Sequence, residues 1–164
     1  MFVANSITAF YTTTNPNQTV RLCCHSEYME ICYIADDDKI ISNPEGEVLY
    51  EFQDTGDHKV VFAIHCQQET LAGMFAFCFS LTAVKFSELS LEYVKDVSGM
   101  FAMTALSAID LSACRNNQIY KMSCMFAGCE RLKECRIGEL PLKQEDINDV
   151  FYGRKNRIHI TRYD

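Results

Sequence analysis

Three Met-Phe pairs mark off the second half of the chain in nearly equal steps. Aligned as GMFAFCFSLTAVKF (73–86), GMFAMTALSAIDL (99–111) and CMFAGCERLKECRI (124–137), they fall at 74/75, 100/101 and 125/126, at intervals of 26 and 25 residues. One more step of 25 reaches Val150-Phe151 in DVFYGRKNRIHI, a degenerate fourth copy. Leu81, Leu106 and Leu132 follow the pair, and an apolar-x-apolar step comes next at Val84/Phe86, Ile109/Leu111, Cys135/Ile137 and Ile158/Ile160. Upstream stand Val94/Val97 and Ile119/Met122, with Leu71 and Ile147 at the second site of that pair before the first and fourth copies. A unit of this length cannot bury its apolar side alone, so the period predicts a solenoid whose coils stack on one another. Its period-2 segments predict short strands, each with one buried face, lined up as a parallel ladder about 4.8 Å per coil.

The units, near 73–98, 99–123, 124–149 and 150–164, resemble the leucine-rich repeats of BspA-like bacterial surface proteins, in the variant MFxxCxxLxxIxL preceded by VxxMxxMF. The resemblance covers 71 to about 160. It implies that the Met-Phe and Leu side chains fill the solenoid core, that the strands form one face, and that neighbouring faces show variable side chains to partners. Two departures stand out. The second unit lacks one residue between Met-Phe and Leu and has Thr104 where the pattern has Cys. The fourth ends in RKNRIHITRYD, where Arg154, Lys155, Arg157 and Arg162 suit a polar cap on the last coil, or a patch for an acidic partner.

Residues 1–66 carry no such period. ITAFYTTT (7–14), TVRLCCH (19–25), YMEICYIA (28–35), KII (39–41), EVLYEF (47–52) and HKVVFAIH (58–65) are β-rich runs separated by the turn chemistry of NPN, DDD, NPEG and DTGD. Short strands at such spacing predict an antiparallel sandwich or sheet. YEFQDTGDHKVVFAI (50–64) resembles the closing hairpin of a PKD-type immunoglobulin-like domain, with Phe52, Gly56, His58, Val60 and Phe62 at the matching places. The Trp-Asp-Phe-Gly-Asp-Gly loop of that family is absent, and YIADDD stands there instead. The expected fold is therefore mainly β with short helical turns: a small antiparallel, sandwich-like domain over 1–66, then the leucine-rich-repeat solenoid over 67–164. HCQQET (65–70) is too short for a spacer, so HKVVFAIH is expected to close the first part and cap the first coil.

Charge narrows the partners. Residues 1–72 hold 3 Lys and Arg against 11 Asp and Glu, and residues 73–164 hold 12 against 11. An acidic front half without clustered Lys and Arg argues against nucleic acid. No apolar run approaches the ~18 residues of a membrane helix. MFVANSITAF lacks the basic start of a secretory signal, so either the chain is not exported as it stands or a leader has been removed.

Nine cysteines, an odd number, leave at least one thiol unpaired, and free Cys filling apolar positions is the expected state. Cys78 and Cys129 are expected two coils apart, roughly 9 to 10 Å, too far to bridge. Cys23, Cys24, His25, Cys32, His65 and Cys66 lack the paired spacing of a structural zinc site. Side chains alternate along a strand, which predicts a buried Cys24 between an exposed or edge Cys23 and His25. Asp36, Asp37 and Asp38 lack the alternation and glycine of a calcium loop and read as a solvated turn. No nucleophile elbow, phosphate loop or H-E-x-x-H is present, and His58 and His159 occupy strand positions.

The expected function is accordingly a non-enzymatic binding module with no cofactor or metal, offering a solenoid face to a protein or glycan. The family resemblance implies a bacterial cell-surface or adhesion setting. Lys85, Asp110 and Arg136 sit between the two buried positions of successive units and are expected to stack in a row on the outer face of the ladder. An alternative is a structural or assembly component, such as a mobile-element or phage tail part made in the cytoplasm, which suits the missing signal and the many thiols. A third, a cysteine-dependent enzyme, requires one thiol with a depressed pKa.

Overall fold

A computed structural model describes residues 5–42, 44–87, 91–112, 118–138, 140–141, 143, 146–153 and 158–161. It is mainly β, with one antiparallel five-stranded sheet, an antiparallel pair and a parallel three-stranded sheet. Each of the six β-rich runs of the front half forms a strand: β1 Ser6–Thr13, β2 Gln18–Cys23, β3 Met29–Ile34, β4 Lys39–Ser42, β5 Val48–Phe52 and β6 Gly56–Ile64. Strict alternation sets β1, whose Ile7, Ala9, Tyr11 and Thr13 are buried while the residues between them are half-exposed. β6 lies between β1 and β3, with Ile7 opposite Phe62, Tyr11 opposite His58 and Cys32 opposite Phe62. Gly56 opens β6 at φ +121°, a backbone conformation that side chains rarely adopt, as the turn chemistry predicts.

The β2–β5 pair lies against this sheet. The buried Tyr11 hydroxyl donates to the Leu22 carbonyl, and the Phe52 and His58 rings stack 3.9 Å apart. One expectation fails here. Cys23 is fully buried and Cys24 only half-buried, because the β2–β5 register shifts between Arg21 and Cys23. The extra residue of such a bulge breaks the period of two and turns Leu22 and Cys23 inward together.

The Met-Phe turns repeat in space as they do in sequence. The Phe75 amide donates to the Met100 carbonyl (2.9 Å), Phe101 to Met125 (2.9 Å) and Phe126 to Val150 (2.9 Å). The rings of Phe75, Phe101, Phe126 and Phe151 stack at successive distances of 5.6, 5.7 and 5.3 Å, with planes within 14° of parallel. Burying each ring is worth roughly 1.5–3 kcal/mol, and each stacked pair about 0.5–1.5 kcal/mol more. Phe62 of β6 meets Phe75 edge-on at 5.3 Å, and the Cys24 amide donates to the Met74 carbonyl at 2.8 Å. The front sheets thus close one end of the column. At the other end the single helical turn α1, Ile147–Val150, brings Val150 and Phe151 into place.

The ladder itself departs from expectation. β8 (Ala108–Asp110), β9 (Glu134–Arg136) and β10 (His159–Thr161) pair in parallel, with Ile109, Cys135 and Ile160 in register. β7 (Leu81–Phe86), which carries Val84, does not join them. It pairs antiparallel with β1, Val84 opposite Ala9, and so crosses the boundary expected at residue 66. The cause is local: β1 already pairs with β6 on one side, and the first unit alone lies beside its other edge, whose backbone groups need partners. Phe86 still reaches the second unit, edge-on to Phe101 at 6.2 Å.

Candidate interaction surface

Each Met-Phe turn is framed by two left-handed residues. The position before Met is Gly73, Gly99 or Cys124, with φ of +66°, +62° and +56°. The position three after Met (or after Val150) is Phe77, Met103, Gly128 or Gly153, with φ of +58°, +60°, +66° and +76°. A left-handed residue bearing a Cβ costs roughly 1–2 kcal/mol relative to the ordinary helical region, which glycine avoids. Units three and four use glycine. The first two keep large apolar side chains there, 48% exposed at Phe77 and 42% at Met103. Phe79, 64% exposed, lies edge-on to Phe77 at 6.3 Å.

These three side chains form a ridge with a groove on either side of Phe79. One groove, of about 330 Å³, is bounded by Val20, Arg21, Phe77, Phe79 and Ser80. The other, of about 320 Å³, is bounded by Phe79, Met103, Thr104, Gly128, Glu130 and Arg131. Gly128 is favoured by its φ of +66°, and a Cβ there would lie 2.2 Å from the Met103 sulfur, so the flexible Met103 side chain would have to move aside. Arg21 is paired with Glu47 at 2.8 Å. Comparing the four units at this one position, Phe, Met, Gly, Gly, would have exposed the ridge in the sequence.

Thr104 repairs the short second unit. In units one and three the Phe75 and Phe126 carbonyls accept from the Cys78 and Cys129 amides, each at 3.2 Å. In unit two the Phe101 carbonyl accepts from the Thr104 hydroxyl at 2.9 Å and from the Cys129 thiol at 2.9 Å.

The row proposed for partner binding is only partly assembled. Asp110 and Arg136 lie opposite each other in β8 and β9, both exposed, 3.5 Å apart. Hydrogen bonding from Ser112, and then the Arg136 guanidinium, holds the Asp110 carboxyl below its usual range. Lys85 stands instead in β7 opposite Thr8, its ammonium 5.6 Å from the centre of the Phe10 ring. Arg154, Lys155, Arg157 and Arg162 fall outside the described residues.

The remaining candidates disperse. Among the described residues, no three His, Cys, Asp or Glu side chains converge as a metal site. The Cys24 thiol donates to the Ala76 carbonyl at 2.8 Å, His25 pairs with Glu27 at 3.0 Å, His65 pairs with Glu30 at 3.4 Å and Cys66 is exposed. Burial pushes the Cys23, Cys32 and Cys135 thiols up to about 12, and Cys78 is raised further still. Eight described cysteines are free thiols. The acidic turn sends its carboxylates to three partners, Asp36 to His58 (2.8 Å), Asp37 to the Tyr50 hydroxyl and Asp38 to the Tyr33 hydroxyl (2.9 Å). Burial first, and Asp37 second, push the Tyr50 phenol up to about 12.

One constellation went unforeseen. Thr13, His58 and Asp36 stand in line, with Thr13 Oγ1 2.8 Å from His58 Nε2 and Asp36 Oδ2 2.8 Å from His58 Nδ1. The order is that of a nucleophile, base and orienting acid, but Thr13 is buried and its hydroxyl proton is given to the Asp54 carbonyl at 2.9 Å. A hydroxyl so committed is a structural link, since nucleophilic attack needs that proton on the base.

Comparison with family models, with curated proteins and with solved structures finds no match to this chain. Among the described residues, no helix is long and apolar enough to cross a membrane.

Proposed function

We propose that the chain is a non-enzymatic binding module, a short solenoid of BspA-like leucine-rich repeats fused to a PKD-like β-domain, that holds a protein or glycan on an outer face. One observation carries this reading: Phe77 and Met103 keep large, half-exposed apolar side chains at left-handed positions that glycine fills in the later units. Folding gains from glycine there, so such side chains are explained by what they touch outside the molecule. The motif resemblance adds a bacterial surface or adhesion setting.

The test is recovery of partners by the immobilised full chain, from bacterial surface extracts and on a glycan array. Phe77→Ser, Phe79→Ser and Met103→Ser together are expected to abolish capture while leaving the thermal transition in place. Lys85→Ala, Asp110→Ala and Arg136→Ala together report on the ladder pair of β8 and β9 and on the β7 side chain that stands apart from it. Identical capture by the parent and both triple variants overturns the reading.

The free and mostly buried thiols favour a second reading, an assembly component made in the cytoplasm. Thiol counting in denatured protein from its native source separates the two. Nine reactive thiols without reductant support the cytoplasmic component, and blocked pairs support export.

A further inference from the structure

β2 belongs to a sheet of two, so one of its edges has no strand partner. The groove between Arg21 and Phe79 runs along that edge. Its lining takes in Gln18, Thr19, Val20 and Arg21 without a break, and no residue of β5. Successive side chains of a strand point to opposite faces, so a groove on one face meets every second residue and only a groove along the edge meets all four. Along an antiparallel strand, alternate residues turn their N–H and C=O groups to the partner, and those between turn theirs away. Among the described residues, none bonds the backbone of Gln18–Arg21 outside the β2–β5 pair. Phe77, Phe79 and Ser80 form the opposite wall. The walls are tied together at one end, where the Cys24 amide donates to the Met74 carbonyl and the Cys24 thiol to the Ala76 carbonyl, each at 2.8 Å.

We propose that this groove takes an extended segment of a partner protein, which adds to β2 as a strand and lays an apolar side chain against Phe77 and Phe79. The inference rests on the binding-module reading and names its partner class. A strand edge offers donors and acceptors at the repeat of an extended peptide backbone, which a second peptide matches and the hydroxyls of a glycan do not. The devices that commonly block such an edge are missing, since β2 holds neither proline nor lysine. Its one charge, Arg21, is answered by Glu47 at 2.8 Å, so the groove asks no counter-charge of its occupant and suits an uncharged, apolar segment. Arg21 Nε is buried without an acceptor, a polar atom left unpaired on the wall of the groove. The opposite wall supplies the side-chain contact through the exposed Phe77 and Phe79 rings.

The test is selection of linear peptides from a random phage-displayed library on the immobilised full chain, followed by binding of the synthetic peptides in solution. Affinity is expected to fall about tenfold or more when alternate backbone amides of a selected peptide are N-methylated in one register, because the edge hydrogen bonds are lost. Methylation alters the probe and leaves the protein's own fold untouched. Bound peptide is also expected to slow amide exchange within Gln18–Arg21, and Phe79→Ser to abolish binding with the thermal transition in place. Peptides that need Phe79 yet tolerate methylation in both registers and leave the β2 amides unprotected overturn the strand pairing while the binding-module reading stands. A glycan ligand lost with Phe79→Ser does the same. Self-association of the parent chain in sedimentation, absent from Phe79→Ser, assigns the groove to a second copy and overturns the proposal, as does a library that yields no binder.

Discussion

The front sheets and the Met-Phe turns bury similar side chains by different means. In β1 and β6 burial follows alternation along a strand, and polar groups enter the core only with partners, as Tyr11 and His58 do. In the turns burial follows translation: one backbone shape, bounded by two left-handed residues, repeats so that each phenylalanine lands on the last. A strand core therefore depends on which face a residue takes, whereas the column depends on the step between units. A one-residue slip reverses every face in the first and misplaces one ring in the second.

Removing an interior ring tests the column hardest. Phe101→Ala, which loses stacking on both sides, is expected to cost about 3–5 kcal/mol in chemical denaturation. A loss below about 1 kcal/mol would show that the rings do not carry the stack. The counterpart in the sheets is Tyr11→Phe, which strands the Leu22 carbonyl and is expected to cost about 1–3 kcal/mol.

Alkali separates the regions by their thiols. A thiol whose pKa is raised in the fold keeps its proton after the unfolded chain has lost its own, so stability is whole below the unfolded pKa, near ~8.5, and falls as pH rises towards the folded one. Each of Cys23, Cys32 and Cys135, pushed up to about 12, is expected to remove stability at about 1.4 kcal/mol per pH unit in that window. Cys32→Ala should flatten the slope by one such increment, and an unchanged slope would show that Cys32 is not buried in solution.

Smaller effects mark the surface. Phe77→Gly exchanges partial burial for relief of a left-handed side chain, and the net change is expected within about 1 kcal/mol. A loss like that of Phe101→Ala would place Phe77 in the core and remove the reason for reading it as a binding side chain. Arg136→Ala breaks an exposed pair with Asp110 and is expected to cost about 0–1 kcal/mol, a change that salt should erase.

What could be read in the residues follows from the same contrast. The six front strands were legible because β-branched and aromatic residues alternate between turn residues, and the Phe column because its period is fixed. The bulge that buries Cys23 beside Leu22 was not, since it depends on the register against β5. The partner of β7 was not, because Leu81–Phe86 alternates equally well beside β1 or β8, and only the free edge of β1 decides. The Thr13–His58–Asp36 line joins residues 22 and 45 positions apart, which no local pattern encodes.

The edge where the turns begin bears on how the chain finds its order. Thr70, Asp96 and Lys121 form parallel bridges, with Glu69 bonded to Lys95 at 2.6 Å and Asp96 3.7 Å from Lys121. Three similar phenylalanine turns invite a folding error in which the first docks on the third and the second loops out. Closing a loop of twice the length costs only about 0.6 kcal/mol more, so chain entropy discriminates weakly. In the skipped arrangement Glu69 would meet Tyr120 and Thr70 would meet Lys121, and both charge pairs would be lost. These surface ion pairs add little to the finished fold, and their loss in the skipped arrangement is expected to favour the native order of turns by a similarly small amount.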